Sequence, residues 1–321
     1  MLRLICRCAR PNRALIVLWL ASCASIAQAA NSYPVSLPTK ASFRDCADCP
    51  ELVVVAPGKF TMGFNGGEED RPEGPTRAVT IRRAFALGRL EVTQWQYAAF
   101  VAATGHDSGA GCQGPLRNGE SGNWSWYEDA DWRRLPADAP VPRAMDPVVC
   151  ISWRDARAYV EWLSRRTGQR YRLPTEAEWE FAARAGATTQ YPWGEAESGA
   201  CSQANVYDQS GRDPARRTPF ASCDDGQPRV APAGSLAPNA WGLHDMIGNV
   251  WEWTQDCYVA PYPRRPVNGD AVELRGECAL RAVRGGSWRT SMFRQRSSWR
   301  GRDPEDRKSD IFGFRVARDL R

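Results

Sequence analysis

Eight cysteines constrain this 321-residue chain more than any other feature, once its first 29 residues are set apart. Those residues carry Arg3, Arg7, Arg10 and Arg13 but no acid, then an apolar run from Ala14 to Ala21, and end Ala27-Gln28-Ala29. A basic start, a short apolar run and an A-x-A ending describe a secretory signal peptide. Leu20-Ala21-Ser22-Cys23 also reads as a lipobox, which would place a lipid on Cys23 and make an outer-membrane lipoprotein. Either route delivers the rest to a periplasmic or extracellular space where thiols oxidise. Cys46, Cys49, Cys112, Cys150, Cys201, Cys223, Cys257 and Cys278 then form an even set, although eight cysteines admit about 105 pairings. Cys46-Ala-Asp-Cys49 suggests a local disulfide. A zinc site would need a second such pair or paired histidines, and the chain has only His106 and His244.

The leader also accounts for the charge. The formal net charge of +5 falls to +1 without residues 1–29, which argues against nucleic acid as a partner. The remainder is uneven. Residues 284–321 hold 11 Lys+Arg against five acids, whereas residues 30–283 hold 27 against 32.

Residues 30–50 read as an extended lead-in. From residue 51 to 321 the chain is continuously rich in Gly, Pro and Trp, which predicts one loop-rich α+β domain. Capping boxes at Thr93-x-x-Gln96, Ser152-x-x-Asp155 and Thr175-x-x-Glu178 predict helices ending at Gly105, Gly168 and Gly186. Strands are expected at Leu52–Val55, Ala78–Ile81, Val250–Thr254, Ala282–Arg284 and Phe312–Val316. Gly109-Ala-Gly111-Cys-Gln-Gly114 fits G-x-G-x-x-G, but Pro115 follows it and no strand precedes it, so it reads as a loop.

Two histidines and no G-x-S-x-G leave little room for a serine hydrolase or a histidine-ligated metal. Oxygen ligands are better represented. Asp245-x-x-Gly248-x-Val250-x-Glu252 sets two carboxylates seven residues apart around a glycine, a segment able to wrap Ca²⁺. Asn205 and the Asp224-Asp225-Gly226 turn form a second oxygen-rich pair of loops. Most of the 14 tryptophans read as core, but Trp288 and Trp299 bracket an arginine-rich stretch and are candidates for a groove.

Arg172-Leu-Pro-Thr-Glu-Ala-Glu-Trp-Glu-Phe-Ala-Ala-Arg184, Tyr191-Pro-Trp-Gly194, the run from Asn239 to Trp253, Arg284-Gly-Gly-Ser-Trp288 and Gly313-Phe-Arg315 follow one another in that order. With Pro57-Gly-Lys-Phe-Thr-Met-Gly63 and Glu91-Val-Thr93, they resemble the sulfatase-modifying-factor (formylglycine-generating enzyme) family over roughly residues 50–318. The resemblance implies a variant of the C-type-lectin fold with little regular secondary structure. It implies one calcium site at Asn205, the Val206 carbonyl, Asp225 and the Gln227 carbonyl. A second would comprise Asp245, the Gly248 and Val250 carbonyls, and Glu252. It also implies the pairs Cys46–Cys49, Cys112–Cys150, Cys201–Cys223 and Cys257–Cys278.

Catalysis does not carry over. The family's formylglycine-generating members hold copper(I) on two cysteines just after Arg-Gly-Gly-Ser, and soft thiolates are what Cu(I) requires. Here those positions fall on Thr290 and on Arg294 or Gln295, and no cysteine lies between Arg284 and Arg321. Copper is therefore not expected. The pocket is expected to comprise Trp251, Ser287, Trp288, Thr290, Arg294, Gln295, Trp299 and Arg300, with positive charge suited to an acidic exported peptide or protein. The resulting expectation is a calcium-stabilised peptide- or protein-binding module. The alternative is an enzyme of the family with different oxidative chemistry, such as formylglycine-type protein oxidation or periplasmic siderophore-chromophore tailoring.

Overall fold

The computed structural model describes residues 42–116, 124–137, 139–213, 218–260, 266–274 and 278–320. The leader, Cys23 and most of the lead-in lie outside them. All three capping boxes form, because each hydroxyl accepts an orphan N–H of the first turn while the acid or amide reaches back. Thr93 opens α1 (Gln94–Thr104) and Ser152 opens α2 (Trp153–Thr167), which end at the left-handed Gly105 and Gly168. Thr175 opens α3 (Glu176–Arg184). There Ala185, not the expected Gly186, takes the left-handed position at φ 46°, so the helix stops one residue sooner. A further single turn, α4 (Ala200–Gln203), carries no capping side chain and left no signal in the sequence.

One sheet has five strands in the order Ser42–Phe43, Leu52–Val55, Phe85–Gly88, Ala317–Asp319 and Tyr171–Arg172, all antiparallel. Ser42–Phe43 already pairs with Leu52 and Val53, so the folded domain takes in residues that read as lead-in. A second sheet runs Gly301–Asp303, Arg281–Arg284, Trp251–Cys257 and Phe312–Gly313, the last pair parallel. The strand expected over Phe312–Val316 is thus shortened to its first two residues, and a further strand begins just beyond it. Phe312–Gly313 serves one sheet and Ala317–Asp319 the other, while Arg315 between them turns inward to Glu252. In the segment that reads as a loop, Cys112–Pro115 is instead a strand paired with Trp124–Tyr127.

The α2 face of Trp153, Ala156, Tyr159, Val160 and Leu163 packs into the main core with Leu52, Trp253 and Phe314. Helix α3 has no solvent face, since all nine of its residues are buried. Buried carboxylates persist only when paired. Glu176 meets Arg300 at 2.5 Å, Glu178 meets Arg172 at 2.6 Å, and Glu180 meets Arg284 at 2.5 Å. These pairs explain why the Thr-Glu-Ala-Glu-Trp-Glu stretch needs three acids. Disulfides join Cys46 to Cys49, Cys112 to Cys150, Cys201 to Cys223 and Cys257 to Cys278, the pairs the family pattern implies. Among the described residues no helix is long and apolar enough to cross a membrane.

Candidate ligand groove and metal-binding loops

Strand Arg281–Arg284 ends in Gly285 and Gly286, both with positive φ, and the chain turns sharply into Ser287. A side chain at Gly286 would collide with the Gln295 amide, so glycine is required for this close approach. The turn is then closed by polar contacts. Ser287 Oγ and Thr290 Oγ1 lie 2.8 Å apart, and Gln295 Nε2 donates to the Ser287 and Thr290 carbonyls at 2.9 Å. Thr290 and Gln295, two of the residues on which the resemblance places the copper cysteines, are therefore in contact. Arg294 points elsewhere, to a two-point ion pair with Glu68.

A cavity of about 480 Å³ opens beside this turn, and Trp251, Thr290, Arg294 and Trp299 of the expected residues line it. Ser287 and Gln295 are fully buried next to Thr290 and support the wall. Trp288 is buried, with the Arg229 and Arg289 guanidiniums 5.7 and 5.8 Å from its ring. Arg300 departs from expectation altogether. Its guanidinium lies in the interior on Glu176 and the Val259 carbonyl. The reason is alternation along an extended chain: Trp299, Gly301 and Asp303 take the groove side, so Arg300 faces away.

The same alternation, counted forward from Trp299, identifies Asp303, which the sequence reading missed. Arg71 and Arg289 were missed too; Arg71 arrives from a distant hairpin and left no local signal. Trp251 and Trp299 pack at 4.9 Å, and the Arg71 and Arg294 guanidiniums lie 5.4 and 5.6 Å from the Trp299 ring. Burial pushes the Asp303 carboxyl up to about 6, outweighing the opposing pull of Arg307, Arg71 and Arg302.

The oxygen-rich loops come together as two neighbouring clusters. In the first, Asp225 accepts from the Val206 N–H at 2.9 Å and the Gln227 N–H at 2.7 Å. Asn205 Oδ1 is buried there and finds no hydrogen-bond donor among the described residues. Asp208 adjoins this cluster, as does Cys201, whose sulfur is already committed to its disulfide. In the second, Asp245 Oδ2 accepts from the Gly234 N–H at 2.6 Å, while Asp245 Oδ1 and Glu91 Oε2 are buried without a donor. Burial raises both carboxyls above the ordinary range, and their mutual proximity adds to the effect on Glu91. Burial raises the Glu252 carboxyl too, but its oxygens are not orphaned. Arg315 holds its two oxygens at 2.6 and 2.7 Å, and the Trp179 indole donates at 2.7 Å. The orphaned oxygens suit a hard cation, with Glu91 a ligand candidate that the sequence reading did not single out. Asn249 links the clusters, donating to Glu91 at 3.1 Å and accepting from Asn205 at 3.1 Å. The two histidines have local roles: His106 meets Asp155 at 2.7 Å, and His244 meets the Leu236 carbonyl at 2.8 Å.

The sequence matches the sulfatase-modifying factor enzyme 1-like domain over residues 38–320. The formylglycine-generating enzyme of Streptomyces coelicolor is 36% identical over 287 residues, covering 82% of this chain and 87% of its own. The inactive Cα-formylglycine-generating enzyme 2 of Bos taurus is 32% identical over 292 residues, covering 83% and 87%. The structure of PvdO from Pseudomonas aeruginosa superposes with a TM-score of 0.72 at 34% identity, covering 89% of this chain and all of that one. With this sheet pairing and this Arg-Gly-Gly-Ser turn, the chain belongs to the sulfatase-modifying-factor family, which has both formylglycine-generating and inactive members.

Proposed function

We propose that this chain is an exported ligand-binding member of the family, stabilised by calcium, whose groove receives a peptide or an exported protein. The observation that carries this reading is the Thr290–Gln295 contact. A hydroxyl and an amide stand at the copper positions, and neither is a ligand for Cu(I). The residues therefore do not fit copper, and no oxidation is routed through it. They do fit calcium. Asn205, Asp225 and the Val206 and Gln227 carbonyls would hold one ion; Asp245 and the Gly248 and Val250 carbonyls, flanked by Glu91 and Glu252, would hold the other. Such ions supply charge neutralisation and tie the loops together. Attachment to a membrane would come only through a lipid on Cys23.

The likeness to PvdO favours a second reading, an exported enzyme with different chemistry at the same groove. One experiment separates the two. Purified protein is incubated with a Cys-x-Pro-x-Arg peptide, copper and oxygen, and the thiol is followed by mass spectrometry. The binding reading expects the thiol to persist; conversion at enzymatic rates overturns it. In parallel, random heptapeptides on phage are selected on the wild type and on Thr290→Trp, which fills the groove. Enrichment on the wild type alone supports the binding reading, and equal enrichment on both counts against it.

A further inference from the structure

The charges of the groove wall largely answer one another. Arg294 is paired with Glu68, Arg307 donates to the Gln113 side chain, and Arg71 has Asp70 at 4.0 Å. Arg289 has Asp213 at 3.9 Å and faces Asp310 as well. Asp303 is the exception. It lines the cavity, and among the described residues its carboxylate has no hydrogen bond or ion pair. Arg71, Arg302 and Arg307 face it, and Arg281, opposite it on the neighbouring strand, is taken by Glu305.

Such a wall favours neither sign of charge on a ligand. An ammonium brought to Asp303 meets the three guanidiniums around it. A carboxylate finds the cations already engaged and Asp303 repelling it. Either ion would give up water without a free counter-charge in return, which burial penalises. What remains is one acceptor and an apolar surface. Trp251, Val283, Trp299 and Phe312 line the cavity, and Phe293 lines it with 40% of its surface exposed. A large exposed apolar side chain at a cavity rim marks a ligand surface. Gly301 lies between Trp299 and Asp303 on the groove side, and a side chain there would run into Val283, so the floor between ring and carboxylate stays bare.

We propose that the groove anchors its peptide through an uncharged aromatic side chain bearing one hydrogen-bond donor, tyrosine or tryptophan, with the ring against Trp251, Trp299 and Phe293 and the donor on Asp303. This rests on reading the groove as the ligand site and departs from the acidic-ligand expectation drawn from net charge. A neutral O–H or N–H is the donor that Asp303 accepts without a further charge entering among the arginines. Tyrosine and tryptophan are also the side chains that fill desolvated interface pockets, since each presents much apolar surface and one polar tip. About 480 Å³ holds either ring with room for the adjoining backbone.

Capped host peptides Gly-Gly-X-Gly-Gly test it by calorimetric titration of the full chain, X being tyrosine, tryptophan, phenylalanine, glutamate or lysine. On the wild type, the tyrosine and tryptophan peptides bind about tenfold more tightly than the phenylalanine peptide, as one hydrogen bond to a charged group allows. The phenylalanine peptide in turn binds at least about tenfold more tightly than the glutamate or lysine peptide. Asp303→Ala brings tyrosine down to phenylalanine and leaves phenylalanine where it was. Equal binding of the tyrosine and phenylalanine peptides to the wild type overturns the proposal without relying on any variant. So does a glutamate or lysine peptide that matches tyrosine, or a tyrosine advantage that survives Asp303→Ala. If no host peptide binds while selected heptapeptides still occupy the groove, the anchor inference falls alone. If the heptapeptides fail as well, the groove reading falls with it.

Discussion

Gln295 donates from its side-chain amide to the Thr290 carbonyl at 2.9 Å, so two of the residues at which the family resemblance places the copper cysteines are held side by side. Thr290→Cys/Gln295→Cys is expected to bind one equivalent of Cu(I) in a competition titration with a chromophoric chelator. The wild type and each single variant are expected to leave the chelator's colour unchanged, since Cu(I) here needs both thiolates. Equal copper uptake by wild type and double variant would show that another part of the chain supplies the ligands.

Asp303 makes stability depend on pH in a direction opposite to the usual carboxylate. Its carboxyl titrates at about 6 in the folded chain against 3.8 in the ordinary range, so the folded state holds the proton more tightly. Stability linked to this group is therefore fully present below about 4 and is lost as pH rises to about 6. Asp303→Asn removes that loss. It is expected to raise the unfolding free energy by about 1–3 kcal/mol at pH 8 and to change it little at pH 4. Urea unfolding at the two pH values checks this, and a destabilised variant at pH 8 would show that the carboxylate is satisfied by a partner in solution.

Arg294 and Arg300 look equivalent in the sequence and are not. Arg300 is fully buried on Glu176, whereas Arg294 reaches Glu68 at the groove edge with 39% of its side chain exposed. Removing one partner of a buried pair strands the other charge and costs about 3–5 kcal/mol; exposed pairs contribute about 0–1 kcal/mol. Arg300→Gln is expected to lower the urea midpoint sharply, and Arg294→Gln to leave it nearly unchanged while altering ligand binding. Similar midpoints for the two variants would contradict the placement of Arg300.

What the sequence disclosed and what it withheld divide along one physical line. Capping boxes are local and located the three capped helices, while the fixed motif order of the family resemblance implied the Arg-Gly-Gly-Ser turn of the groove wall and the disulfide pairs. Arg71, Asp303 and the inward Arg300 depend on which side of an extended segment faces which layer. A single residue of alternation separates Trp299 in the groove from Arg300 in the interior. The split between Phe312–Gly313 and Ala317–Asp319 is of the same kind. The chain leaves one sheet after Gly313 and joins the other at Ala317, with Arg315 between them reaching Glu252, a partner 63 residues away. Glu91 was legible as part of a motif, but its approach to Asp245 is set by tertiary packing alone.

The division of labour between Asp245 and Glu252 gives calcium its sharpest test. Asp245 Oδ1 is buried without a donor, whereas Glu252 is saturated by Arg315 and the Trp179 indole. A ligand bound only by the folded chain stabilises it by about 2.7 kcal/mol at a hundred times its Kd. Chelation is therefore expected to lower the melting temperature of the wild type, and added Ca²⁺ to restore it. Asp245→Asn keeps the shape but weakens the site, so its melting temperature is expected to respond less to calcium or chelator. Glu252→Gln is expected to unfold at lower temperature under every condition, because it strands Arg315 in the interior whether or not an ion is bound. A wild-type melting temperature indifferent to a strong chelator would count against both loops as calcium sites. A calcium response intact in Asp245→Asn would move the ion away from Asp245 and toward the Asn205–Asp225 cluster.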